Sequence, residues 1–193
     1  MGKEFELKYA ATGKQLQQIT KELPGEYHAI AMETTYYDTP TGAFSARKWT
    51  LRRRLENGVS ICTLKTPATG FGRNEWEMEC NSIESAVPEL CKLSNLPDLP
   101  ALTVEGLVPV CGAKFTRLAK NVTAGSSTLE LALDEGILFG GGREQPLAEL
   151  EVELKSGTEA DALQYAHALA ERFDLKVEPN SKFRRALDLA KGE

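Results

Sequence analysis

Six stretches of this chain alternate with period two, and what alternates is charge against apolar side chains. Glu4, Glu6 and Lys8 share one face of a predicted strand whose other face carries Phe5, Leu7 and Tyr9. The same phase sets Arg52 and Arg54 opposite Leu51, Arg53 and Leu55, and Ile61, Thr63 and Lys65 opposite Cys62 and Leu64. Glu75, Glu77 and Glu79 oppose Trp76 and Met78, and Glu130, Ala132 and Asp134 oppose Leu129, Leu131 and Leu133. Glu149, Glu151 and Glu153 oppose Leu150, Val152 and Leu154. Any one of these could be a half-buried antiparallel strand with its polar face in water. Together they are unusual, because the polar faces hold almost no Ser, Thr, Asn or Gln. Like charges about 7 Å apart on one strand repel by roughly half a kcal/mol per pair in solvent, and by more when enclosed. Acid rows therefore persist where cations neutralise them, and neutralising Glu151 with glutamine should leave the fold intact or relax it slightly. The arginines and lysines on other strands supply the cations. One architecture satisfies both sets, an α+β fold built as an eight-stranded antiparallel β-barrel with a charged lumen and helices packed outside.

Helical spacing accounts for those helices. Thr12 caps a run with Leu16, Ile19 and Leu23 on one face, stopped by Pro24-Gly25. Ser82 opens a second, with Ile83, Ala86, Leu90 and Leu93 in phase. Thr158 and Asp161 form a capping-box pattern ahead of Leu163, Ala166, Leu169 and Phe173. A short last helix follows Asn180, carrying Phe183, Leu187 and Ala190. The segment from Leu96 to Leu107, broken by Pro97 and Pro100, connects two halves of one fold. Without a repeat or linker, residues 1–193 are read as a single domain.

The chemistry follows from the charged faces. Acid rows are hard oxygen ligands of the kind that Mg²⁺ or Mn²⁺ takes. Arg52, Arg54 and Lys65, with Lys8, Arg117 and Lys182, are donors for a polyanion. Carboxylates with a divalent ion beside a basic cluster make the constellation of phosphoryl or nucleotidyl transfer. Other devices are poorly supplied. Cys62, Cys80, Cys91 and Cys111 form no C-x-x-C pair and only two histidines are present, so they are read as reduced thiols and not as a zinc site. Gly140-Gly141-Gly142-Arg143 reads as a hairpin turn, and Gly70-Phe71-Gly72 is a weak phosphate loop. Trp49 is out of phase with Arg52 and should pack outside. A net charge of −5 argues against broad nucleic-acid binding. No apolar run approaches the roughly 18 residues that span a bilayer. The N-terminus has neither a secretory pattern nor the Ser or Thr that myristoylation wants at position 6, so a cytoplasmic location is expected.

Glu4-x-Glu6-x-Lys8 resembles the E-x-E-x-K signature of the CYTH superfamily, the triphosphate tunnel metalloenzymes. Further blocks follow in the same order: Tyr36 to Pro40, Leu51 to Arg54, Thr63 to Lys65, Arg73 with Glu75-x-Glu77, Arg117, Leu133 to Gly136, Glu149-x-Glu151-x-Glu153, and Ser181-Lys182-x-x-Arg185. The resemblance runs from about residue 3 to residue 189. It implies an eight-stranded tunnel that binds triphosphate with divalent cations. In it Arg52, Arg54, Lys65, Arg117, Lys182 and Arg185 grip phosphates, and Glu4, Glu6, Glu149, Glu151 and Glu153 bind metal. Lys8 lies beside the phosphates or the attacking water, which makes Lys8, Glu6 and Glu151 the catalytic candidates. Asp134, Glu75 and Glu77 complete the acidic lining. The expected reaction is hydrolysis of inorganic triphosphate to pyrophosphate and phosphate with Mg²⁺ or Mn²⁺. Thiamine or nucleoside triphosphates, a class IV adenylate cyclase reaction and a non-catalytic polyphosphate binder are its rivals. The expected partner is a small-molecule triphosphate, without nucleic acid or membrane, and a homodimer is left open.

Overall fold

The computed structural model describes residues 2–68 and 73–193, with side chains from residue 5 onward. Gly70-Phe71-Gly72 therefore lies outside the described residues, as does the side chain of Glu4. The alternating stretches are strands of one antiparallel sheet. In chain order they are β1 (Gly2–Glu4), β2 (Glu6–Ala10), β3 (His28–Asp38), β4 (Thr50–Glu56), β5 (Val59–Pro67), β6 (Arg73–Glu79), β7 (Val108–Ala124), β8 (Ser127–Gly140), β9 (Arg143–Ser156) and β10 (Lys176–Val177). Their order across the sheet is β1-β6-β5-β4-β3-β7-β8-β9-β2-β10.

The expectation of eight strands and the observed ten differ in two places. β1 and β2 are halves of one N-terminal segment interrupted at Phe5, the first pairing with β6 and the second with β9. The ladder is thus not closed by one continuous strand, yet both of its ends meet on the same short segment. β10 adds two residues beside β2. Gly136 lets β7 and β8 approach, since a Cβ there would lie 2.5 Å from the Phe115 Cα. Gly141 and Gly142, with φ of +57° and +74°, turn the β8–β9 hairpin as the triple glycine led one to expect.

Period-two alternation sorts the side chains into core and lumen. On one side, α1 (Gly13–Glu22) and α5 (Glu159–Phe173) bury Leu16, Ile19, Ala166 and Phe173 against Leu131, Leu133, Leu150 and Val152. On another, α2 (Ala43–Ala46), α3 (Ile83–Ser94) and α4 (Leu99–Leu102) cover Leu51, Cys62 and Leu64, with Trp49 packed among them against Phe44. The Thr12 capping box forms with Gln15. At α5 only half of the expected box is made. Thr158 accepts from the Asp161 amide, but the Asp161 carboxylate accepts from Ser127 Oγ at 2.6 Å instead of reaching back. α6 (Lys182–Lys191) packs differently from the rest, with Ala186 and Phe183 against Met32, Tyr36 and Phe115 of the lumen face. All four cysteines are free, with Cys62 and Cys111 buried. Among the described residues no helix is long and apolar enough to cross a membrane.

Candidate active site

The charged faces enclose a cavity of about 790 Å³. Glu6 and Lys8 from β2, Arg52 and Arg54 from β4, Lys65 from β5, and Glu75 and Glu77 from β6 line it. Arg117 from β7, Glu151 and Glu153 from β9, and Lys182 from the first turn of α6 line it too. Asp134, Glu149 and Arg185 stand behind this lining, the first two with no exposed surface. Arg53 faces outward and donates through Nε to Ser60 Oγ at 2.8 Å. The three consecutive arginines are divided as alternation requires.

Register brings the charges together in three groups. β8 sets Asp134 between Arg117 of β7 and Glu149 of β9. Arg117 grips Asp134 with Nε at 2.8 Å and Nη2 at 2.7 Å, and also donates to Glu151. The Lys182 ammonium reaches Asp134 at 2.7 Å, Glu151 at 2.8 Å and Glu149. Arg185 donates to Glu149 at 2.8 Å and lies 3.2 Å from Glu178. Ser181 caps α6 through the Arg184 amide and so fixes the turn that delivers Lys182. Three carboxylates and three cations thus balance in a site mostly closed to water. Asp134, expected as lining, is at the centre of this group.

The second group is Arg52, Lys65 and Glu75, with Glu75 3.0 Å from the Lys65 ammonium and 3.4 Å from Arg52. Arg54 pairs with Glu56 beside it. In the third, Glu153 lies opposite Glu6 on one side and Glu130 on the other. Lys155 bridges Glu153 and Glu130 at 2.8 and 3.5 Å, and Lys8 lies 3.6 Å from Glu6. Glu56 and Lys155 were missed in sequence, although each extends a recognised row by two residues in the same phase, and Glu130, recognised in its row, was not singled out as a site residue.

These surroundings move the titrations. Burial alone would push the Glu151 carboxyl up, but Lys182 and Arg117 hold it well below the usual carboxylate range. Burial pushes Glu149 up, and Lys182 offsets this only in part. Burial opposes the charge on Lys182, yet the Glu151, Asp134 and Glu149 carboxylates hold its ammonium above the usual lysine range. Burial, then the neighbouring Arg52, lowers Arg54. The expectation that neutralising Glu151 relaxes the fold is therefore corrected. Its charge is bound by two cations, not merely repelled by its row.

Asp134, Glu149 and Glu151 offer carboxylate oxygens within 4.8 Å of one another, all buried. Hard oxygen donors so grouped fit Mg²⁺ or Mn²⁺ by chemistry, and their convergence on the Lys182 ammonium marks a place where a cation is accommodated. Arg52, Arg54, Lys65 and Lys8 on neighbouring walls present donors to the same cavity. Anion and divalent cation can thus be held side by side.

Known proteins share this fold. HpAC1 from Hippeastrum, described as a proposed adenylyl cyclase with a dominant triphosphatase activity, superposes with a TM-score of 0.68 at 18% identity over 98% of this chain and 96% of its own. PH1819 from Pyrococcus horikoshii gives 0.60 at 22% identity over 96% and 98%. At such identities both attest the fold alone. In sequence, the inorganic triphosphatase of Haemophilus influenzae is 31% identical over 195 residues. The match covers 96% of this chain and 54% of that relative, so the chain spans about half the relative's length. The CYTH domain itself matches residues 2–187, and with a match spanning every described strand, the chain belongs to the CYTH domain family.

Proposed function

We propose that this protein hydrolyses inorganic triphosphate to pyrophosphate and orthophosphate with Mg²⁺ or Mn²⁺. The observation that carries the reading is the division of one cavity between a basic wall, Arg52, Arg54 and Lys65, and an acidic one, Glu6, Glu151 and Glu153. A binder of anions alone would gain nothing from the second wall. The 31% identical relative is itself an inorganic triphosphatase, which supports the substrate.

In this reading Arg52, Arg54 and Lys65 hold phosphoryl oxygens at one end of the chain of phosphates, and Arg117, Lys182 and Arg185 offset charge at the other. Glu6 and Glu153, joined by Glu4 from the sequence pattern, and the Asp134–Glu149–Glu151 trio are the carboxylates that would hold the metal. A bound divalent ion supplies charge neutralisation and a water of lowered pKa. Both Glu151 oxygens already accept from cations. Glu6 or Glu151, both on the cavity wall, takes the proton of the attacking water. Lys8, beside Glu6, orients that water or the phosphoryl it attacks. Incubation with inorganic triphosphate, ATP and thiamine triphosphate, each with Mg²⁺, Mn²⁺ or chelator, tests this. Inorganic triphosphate should be consumed fastest and only with metal. Cyclic AMP as the main product would overturn the reading.

A further inference from the structure

Two buried hydroxyls in the tunnel wall, Thr50 Oγ1 and Thr63 Oγ1, make no hydrogen bond among the described residues. Their residues are 3% and 0% exposed. Valine has the same shape, suits a strand equally well and would carry no such desolvation cost. Register supplies a reason for the hydroxyls. On the lumen face Thr50 stands opposite Lys65, and Arg52 stands opposite Thr63. The four residues form a square with long cations on one diagonal and short hydroxyl side chains on the other. Arg52 Nε also lacks a partner, as does Arg54 Nε two residues along β4. An anion already rests against the square: the Glu75 carboxylate, opposite Lys65 on β6, contacts both cations.

We propose that Thr50 and Thr63 are positioning residues for a terminal phosphoryl group, their hydroxyls donating to its oxygens where it takes the place of the Glu75 carboxylate between Arg52 and Lys65. This rests on the triphosphate reading and deepens it. A third cation in the square would add to the repulsion that already disfavours the charge on Arg54. A hydroxyl adds a donor without adding charge, and so orients the phosphoryl at no electrostatic cost to the ligand-free fold. The hydrogen bond that each hydroxyl lacks in the free protein is gained only in the complex, so the site favours the bound state selectively.

Thr50→Val, Thr63→Val and the double variant remove hydroxyls and little else. Thr66→Val, on the outward face of the same strand as Thr63, is the control, and Thr50→Ser with Thr63→Ser restores the hydroxyls. Calorimetric titration with inorganic triphosphate and with pyrophosphate in Mg²⁺ should show affinity lowered about tenfold per valine. The melting temperature of ligand-free protein should hold or rise. Thr66→Val and the serine variants should bind within about threefold of wild type. Affinity unchanged in the double valine variant would overturn the proposal, and so would an affinity loss that tracks a lowered ligand-free melting temperature. Wild type that binds both anions but hydrolyses neither would refute the hydrolase reading and leave the square standing. Wild type that binds neither would refute both.

Discussion

Replacing Arg54 by methionine should cripple catalysis while leaving the ligand-free protein as stable or more so, and the same change at Arg53 should do the reverse. The Arg54 side chain is 17% exposed, and both burial and Arg52 disfavour its charge. Methionine keeps most of the stem and removes that cost, a change expected to be neutral or to stabilise by up to about 2 kcal/mol. Its partner Glu56, at 26% exposure, is wet enough not to be stranded. In the proposed complex, Arg54 would supply a charged hydrogen bond to phosphate worth about 1.5–3 kcal/mol, so kcat/KM for triphosphate should fall roughly 10- to 150-fold. Arg53 donates to Ser60, which in turn donates to the Cys80 carbonyl at 2.6 Å. Losing that link should cost about 0.5–1.5 kcal/mol and lower the melting temperature by roughly 1–6 °C, with kcat/KM unchanged. Arg52→Met should follow Arg54 in activity. Steady-state kinetics and thermal denaturation of the three variants decide the matter. Equal activity losses at all three, or the largest at Arg53, would refute the inward-facing charged lumen.

Lys182→Met should leave three buried carboxylates with only two cations, Arg117 and Arg185, and cost about 3–5 kcal/mol, read as a drop of roughly 6–20 °C in melting temperature. The two neighbouring glutamates should respond to neutralisation with opposite sign. Glu151 is lowered in the fold, so its charge contributes stability above the ordinary carboxylate pKa that is lost as pH falls, and Glu151→Gln should destabilise metal-free protein at pH 7. Glu149 is raised, so stability is lost as pH rises from the ordinary carboxylate pKa towards its higher folded value, and Glu149→Gln should melt at the same or a higher temperature; the reverse order would contradict the cation assignments. Burial pushes the Cys62 thiol to about 11 and the Cys111 thiol to about 12, so neither should react with a thiol reagent at pH 8 until the protein unfolds. Rapid modification of all four cysteines in native protein would argue against those burials.

Side-chain parity was legible because a charged lumen and an apolar exterior impose period two on every strand alike. It placed Arg52 and Arg54 inside, and Arg53 and Trp49 outside, from one strand's neighbours. Register was not legible, because it depends on how strands slide past one another. Asp134 therefore reads as lining in the sequence and stands opposite Glu149 in the fold. The break at Phe5, which lets one segment pair with β6 and then with β9, left no local signal. Amphipathic spacing in the last helix gives a buried face without saying what buries it. Lys182 reads as a donor in the sequence, but its contacts with Asp134, Glu149 and Glu151 came only with the packing. Thr50 and Thr63 escaped notice because threonine is an ordinary strand residue, and only an unpartnered hydroxyl sets it apart.

In the proposed reaction the tunnel directs water onto a phosphoryl group of inorganic triphosphate with a divalent ion. Turnover of inorganic triphosphate in ¹⁸O-enriched water, followed by ³¹P NMR, tests it most directly. Pyrophosphate and orthophosphate should form in equal amounts, with one water-derived oxygen per cleavage, in Mg²⁺ or Mn²⁺ and not in excess chelator. Intact triphosphate under every metal condition, or cleavage that proceeds unchanged in chelator, would contradict it.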